Sequence, residues 1–267
     1  MSAWRGQVVV LTGASLGIGA EVARTLAGHG ARLVLAARDA ARLQLVADAC
    51  RQQGAEVELV PCDITDESQC RSLIDRAVAR FGRIDALICN AGQAMWARAD
   101  EVADWRIFER LVQVNYLGAV YCALAALPHL KASRGRLVAV SSLAGKTGVP
   151  MRTGYSAAKA ALNAFCDSLR IELAGSGVSV TVVCPGFVGT GSRARNLGVD
   201  GKPLGRSPVS EAAMMTVAEC TRQLLDAAER RDRELVMTAP ARLGMWLKLL
   251  LPSLVDRMAS RAMERGH

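Results

Sequence analysis

A chain of 267 residues, 51% of them hydrophobic and 22% charged, is long enough to bury a sizeable core and stands near the upper end of what one folded domain holds. Its formal net charge of +8 raises nucleic acid as a partner, but the arginines are dispersed and aromatic residues make up only 4% of the chain. Nucleic-acid binding is therefore set aside in favour of a solvated basic surface that attracts an anionic cofactor.

In chain order, short apolar runs at 8–11, 32–36, 57–60, 86–89, 136–141, 178–183 and 235–237 are expected strands. The stretches 17–30, 40–53, 66–81, 105–131 and 153–174 carry helical spacing, and the third opens with an Asp66-x-x-Gln69 cap signal. This alternation predicts an α/β fold: a single-domain Rossmann fold over residues 1–238, with a doubly wound, seven-stranded parallel sheet and helices on both faces. Residues 189–210, rich in Gly, Arg, Pro and Ser, read as a loop or mobile lid after the sixth strand.

The tail, 239–267, is apolar and basic, and its run 243–251 is too short to span a membrane. Arg242, Lys248, Arg257, Arg261 and Arg265 beside Trp246 and the leucines suit a peripheral membrane contact through 240–267. Packing on the pocket mouth or on another subunit are the alternatives. Eight cysteines, at 50, 62, 70, 89, 122, 166, 184 and 220, form no Cys-x-x-Cys pair or Cys/His cluster, which points to buried reduced thiols and to no metal. Without an export signal in the first residues, the expected location is cytoplasmic, or membrane-peripheral through the tail.

The first strand runs into Thr12-Gly13-Ala14-Ser15-Leu16-Gly17-Ile18-Gly19. Such glycines permit a sharp turn and let backbone amides approach a pyrophosphate, while the helix N-terminus favours its charge. A purely structural tight turn is the alternative. The residue that reads the adenosine ribose is expected about 20 positions later, at the end of the second strand. Ala37 replaces the carboxylate that selects NAD(H) and Arg38 follows, so a guanidinium is available for a 2′-phosphate and NADP(H) is favoured. Asp39 keeps NAD(H) open, as does Arg38 as an ordinary surface residue.

Tyr155 and Lys159, four residues apart at the start of a helix, share one face. An ammonium nearby lowers a phenol's usual pKa of ~10, readying Tyr155 to give a proton to a carbonyl or take one from an alcohol. Ser142, at the end of the fifth strand, is placed to hydrogen-bond the same oxygen; Ser141 is its rival, and turn formation is the plain structural reading of both.

Thr12-Gly13-x-x-x-Gly17-x-Gly19, Asn90-Ala91-Gly92, Asn115, Ser142, Tyr155-x-x-x-Lys159 and Pro185-Gly186 stand in the order and spacing of the short-chain dehydrogenases/reductases, which the chain resembles from Gln7 to about Met237. The resemblance implies hydride transfer between NADP(H) and a carbonyl/secondary alcohol pair, with Tyr155 as acid/base and Ser142 holding the carbonyl. It implies that Lys159 tunes Tyr155 and holds the nicotinamide ribose, and that Asn115 links Lys159 to solvent through main chain and water. A buried, helix-bending Asn is the alternative for Asn115. By the same likeness Gly13, Ser15, Gly17, Ile18 and Gly19 form the pyrophosphate turn and Asp63 contacts the adenine. Asn90, Ala91 and Gly92 lie along the cofactor, and Pro185, Gly186, Val188 and Thr190 flank the nicotinamide. Leu16 stands where some NADP-dependent relatives have a second basic residue, so the phosphate preference rests on Arg38. A homodimer or homotetramer is also implied.

Gln93, Met95, Trp96, Leu143, Val149, Met151 and Phe187 are the candidate substrate contacts and, being mainly apolar, suggest a hydrophobic carbonyl compound; ordinary core is their alternative. The rival function is a cofactor-binding sensor without turnover, against which the set Asn115, Ser142, Tyr155 and Lys159 argues.

Overall fold

The computed structural model describes residues 2–208 and 214–264, the last four by backbone only. The strands are β1 (Val8–Thr12), β2 (Arg32–Ala37), β3 (Val57–Pro61), β4 (Ala86–Cys89), β5 (Arg136–Val140), β6 (Ser179–Cys184) and β7 (Glu234–Val236). They form one parallel sheet in the order β3-β2-β1-β4-β5-β6-β7. The helices are α1 (Gly17–Gly28), α2 (Ala40–Gln52), α3 (Glu67–Phe81), α4 (Arg106–Val112), α5 (Gly118–Ser133), α6 (Thr153–Glu172), α7 (Val217–Arg230), α8 (Ala239–Leu250) and α9 (Pro252–Glu264).

The apolar strand runs are continuous because both faces of the sheet are covered. Val10, Val34, Leu87, Leu137 and Val180 belong to the core shared with α3, α5 and α6. Their neighbours Val9, Leu33, Ala86, Val138 and Val183 belong to the core shared with α1, α2 and α7. The fold is thus the doubly wound α/β arrangement that the alternation of elements predicts, and all eight cysteines are unpaired and buried in it. Strand order reverses between β1 and β4, which opens a crevice at the carboxyl ends of the strands.

Three local features depart from the expectations. The stretch 105–131 is interrupted by a π-helical turn, Gln113–Leu117, centred on the buried Asn115. α7 was not among the expected helices, although Thr216 accepts a hydrogen bond from the Glu219 amide, in the Thr-x-x-Glu pattern that marks a helix start. The expected lid is packed over 189–208: it makes a 3₁₀ turn at Arg193–Arg195, and the fully buried Leu197 bridges to Met95 and Pro203. Residues 209 and 210 of that stretch lie outside the described residues.

The tail forms two helices separated at Leu251, with Pro252 tolerated at the first position of α9. Ala241 and Met245 pack on the core and Lys248 donates to Thr147 Oγ1, but Leu243, Trp246, Leu249, Leu250 and Leu251 are exposed. Arg265 and the side chain of Arg261 lie outside the described residues. The helical stretch Arg106–Ser133 is long and apolar enough to cross a membrane by length and composition, yet its Cys122, Ala123, Ala126 and Leu130 are buried as in a core helix.

Candidate active site

A cavity of about 800 Å³ lies along the carboxyl ends of the strands. At its centre β1 runs into the glycine turn. Gly13 has φ +65°, and a Cβ there would come within 2.7 Å of Ala91 Cα; a Cβ on Gly19 would lie 2.1 Å from Gly13 O. Side chains are therefore sterically barred where the chain turns into α1. Asn90 staples this turn, donating from Nδ2 to Thr12 O and Gly13 O at 3.1 Å each, while Asn90 N and Ala91 N donate to Thr12 Oγ1. The N-terminus of α1 has neither a capping side chain nor an acidic residue in its first turn, so its amides suit an anion.

The adenosine end carries charges of both signs. Arg38 Nη1 lies 4.0 Å from Asp63 Oδ2, and Arg42 Nε lies 3.1 Å from Asp39 Oδ2. Asp39 also caps α2 by accepting from Arg42 N, and Asp63 accepts from Thr65 N and Oγ1. Arg42, which sequence reading passed over, lines the cavity with Arg38. It lies one turn into the helix that follows Arg38, and that spacing was its available signal.

Ser142, Tyr155 and Lys159 converge at the other end. Ser142 follows β5 and its Oγ accepts from Ala144 N at 3.1 Å, whereas Ser141 Oγ donates to Lys159 O at 3.4 Å. The serine that reaches the phenol is Ser142. Tyr155 lies on the first turn of α6. Burial raises its pKa, against the lowering influences of a hydrogen bond with Ser142 and the nearby Arg152 and Arg193 guanidinium groups. Lys159, one turn on, is buried, with Nζ 5.9 Å from the Tyr155 ring centroid and donating to Val140 O at 2.8 Å. Burial pulls its pKa down to about 8. The expectation that an ammonium leaves the phenol below its usual value is thus corrected: burial outweighs it, and the cationic help comes from Arg152 and Arg193.

Asn115 is buried, with Nδ2 donating to Gln93 O at 2.8 Å and Leu111 O at 2.9 Å, and Oδ1 accepting from Gln93 N. The bond to Leu111 is the helix-bending contact, at the π turn itself. A Cβ on Gly92 would lie 3.0 Å from Asn115 Oδ1 and 3.6 Å from Lys159 Nζ, so both side chains approach that glycine. Beyond β6, Pro185, Gly186, Val188 and Thr190 line the cavity together with Gly13, Ser15, Gly17, Ile18, Asn90, Ala91 and Gly92. Gly19 lies behind that lining, against Gly13 O. Thr190 approaches the glycine turn, since a Cβ on Gly17 would meet its Cβ at 3.2 Å.

The expected apolar substrate wall is not what lines the cavity. Of its seven candidates only Gln93 and Phe187 do so. Met95 is fully buried with Ile107, Leu111 and Leu197, Leu143 packs on the main core, and Trp96 stacks against Arg152. Arg110, Arg152, Arg193 and Arg195 also line it, beside Ala94, Val114, Asn196 and Pro203. Met95 and Leu143 found closer partners in the core, and the cavity keeps a mixed wall with several cations.

The model of the short chain dehydrogenase family matches residues 7–197. The chain is 36% identical over 257 residues to 11-beta-hydroxysteroid dehydrogenase A of Sesamum indicum, covering 94% of this chain and 74% of that protein. Among solved structures it resembles an alcohol dehydrogenase of Thermococcus sibiricus complexed with 5-hydroxy-NADP, with a TM-score of 0.74, 28% identity and coverage of 86% and 95% of the two chains. A short chain dehydrogenase/reductase of Burkholderia phymatum in complex with NAD shares the fold at a TM-score of 0.84 and 24% identity, over 95% of this chain and 96% of that one. With this match, the parallel sheet and the residues at its carboxyl edge, the chain belongs to the short chain dehydrogenase family of oxidoreductases.

Proposed function

We propose that the protein interconverts a carbonyl and a secondary alcohol with NADP(H), Tyr155 exchanging the proton. The convergence of Ser142, Tyr155 and Lys159 in the cavity that contains the glycine turn carries this reading. The residues fit the cofactor: the uncapped α1 amides with Gly13, Ser15, Gly17, Ile18 and Gly19 suit the pyrophosphate, and Asp63 the adenosine end. Arg38 and Arg42 suit a 2′-phosphate, and Asp39 is engaged with Arg42, which favours NADP(H) over NAD(H). Asn90, Ala91 and Gly92 line the middle, while Pro185, Gly186, Val188, Thr190 and Lys159 serve the nicotinamide end. When bound, the nicotinamide supplies or accepts the hydride.

The chain's own part is proton handling. Burial keeps Tyr155 protonated at neutral pH, so its phenol is a donor to a carbonyl oxygen, which Ser142 holds beside it. The Ser142 bond and the nearby guanidinium groups steady the phenolate left behind. Lys159, with a pKa of about 8, restores the proton; Asn115, which also approaches Gly92, links it toward Gln93 and solvent.

The test follows NADPH absorbance over a panel of ketones, aldehydes and oxo acids, with Tyr155→Phe as control. Turnover lost in that variant supports the reading. Tight NADPH binding without turnover of any ketone, alcohol or acid transfers the case to a cofactor sensor.

Two further parts of the reading concern the surface. Exposed Leu124 on α5 and Ile171 on α6 support a homodimer or homotetramer, which light scattering tests. The exposed leucines and Trp246 of α8, with Arg242, Lys248 and Arg257, support a peripheral membrane contact of a cytoplasmic enzyme. Equal flotation on anionic vesicles with and without residues 240–267 would remove it.

A further inference from the structure

Arg152 stands three residues before Tyr155 and is only 7% exposed. Its guanidinium is sandwiched by rings, 5.2 Å from the Trp96 centroid and 5.0 Å from that of Phe187, and lies 5.9 Å from the Tyr155 ring. Nε and Nη2 are buried and find no protein acceptor among the described residues. These two nitrogens form one edge of the guanidinium, with parallel N–H bonds spaced to match the two oxygens of a carboxylate.

Three other observations point the same way. Among the described residues no carboxylate acts on Arg152; the charged or polar groups that do are Tyr155 and the like-charged Arg193, which shares the Phe187 ring at 4.8 Å. Arg152 is the N-cap of α6, where a cation opposes the helix dipole and an anion is favoured. The preceding residue, Met151, has φ +65°, a costly conformation for an unbranched long side chain, and its carbonyl is held by Ala97 N at 3.0 Å. A strained turn thus sets a buried, uncompensated cation beside the proton donor, and burial without a partner is disfavoured unless an anion answers it.

We propose that Arg152 binds a carboxylate of the substrate, making the enzyme selective for oxo acids or hydroxy acids whose carboxylate lies within a few bonds of the reacting carbon. This rests on the hydride-transfer reading above and narrows its substrate class. Phe187, which holds Arg152 and lines the cavity, leaves an apolar contact for the rest of the molecule. Arg152 is a specificity residue: it grips the substrate at a second point and so orients the carbonyl toward Tyr155 and Ser142.

The test is calorimetric. A graded set of short aliphatic oxo acids and their methyl esters is titrated into the protein saturated with NADP⁺, for wild type, Arg152→Gln and Arg152→Lys. At least one acid should bind about tenfold or more tightly than its ester, as expected for a charge-assisted pair. Arg152→Gln should bring that ratio close to one, and Arg152→Lys should restore part of it. NADP⁺ affinity and the thermal unfolding of the NADP⁺ complex, measured alongside, identify a variant that has lost its fold, in which case Arg152→Lys decides. Esters binding as well as acids throughout, or a ratio that survives Arg152→Gln, overturns the proposal. Selective acid binding without NADPH turnover would instead sink the hydride-transfer reading and leave the carboxylate site standing.

Discussion

The two ends of the cavity solve the same electrostatic problem differently. At the adenosine end Arg38 and Arg42 are more than half exposed and each has a carboxylate within 4.0 Å, in Asp63 and Asp39. At the other end Arg152 is buried, and no carboxylate among the described residues acts on it. Exposed pairs are weak and water-screened, so they can exchange partners when a phosphate arrives. A buried cation cannot fall back on water, so what Arg152 contributes depends on what the cavity receives. The first end is adaptable and the second is selective.

The largest effect that bears on this contrast is at Tyr155. Tyr155→Phe should lower kcat/KM by about 10³-fold while leaving NADPH affinity within about twofold, because the phenol's proton is needed only in the reaction. Stopped-flow and fluorescence titration separate the two; a loss confined to cofactor affinity would contradict the assignment of ends. A Cβ at Gly19 meets Gly13 O at 2.1 Å, so Gly19→Ala should weaken NADPH binding by roughly tenfold or more and also lower the unfolding temperature.

At the adenosine end, Arg38→Ala should raise the Kd for NADPH about tenfold and that for NADH by less than about twofold, because only the former carries the 2′-phosphate. Equal losses would mean that Arg38 serves the ribose or adenine and would remove the basis for NADP(H) preference.

The smallest effect is thermodynamic. Burial lowers the Lys159 pKa to about 8 from an ordinary 10.5, so between these values the unfolded chain binds more protons and this residue's contribution to stability rises with pH. Urea unfolding of wild type and Lys159→Met at pH 7 and pH 9.5 should show wild type gaining on the order of 1–2 kcal/mol relative to the variant at the higher pH. Burial pushes thiols such as Cys166 and Cys220 the other way, up to about 12, so the unfolded thiols ionise first and both proteins lose stability in alkali. The difference between the two proteins isolates the lysine.

The seven strands were legible to within about two residues because a sheet covered on both faces demands unbroken apolar runs. α7 escaped notice although Thr216 and Glu219 signalled its start, and the π turn has no pattern apart from the Asn115 at its centre. Ser142 was separated from Ser141 only by which hydroxyl faces Tyr155. The apolar wall was misread because Met95 and Leu143 look the same in sequence whether they line a cavity or fill a core.

By itself the sequence determined the fold class, the glycine turn and the Tyr155-x-x-x-Lys159 helix face, since each depends on residues close in the chain and on local backbone geometry. Tertiary structure decided the character of the substrate end. Arg152 acquires its meaning from Trp96 and Phe187, which lie far from each other in the chain, from the strained turn at Met151, and from the lack of a carboxylate partner among the described residues. Burial and charge compensation are properties of a packed neighbourhood, and no local pattern encodes them.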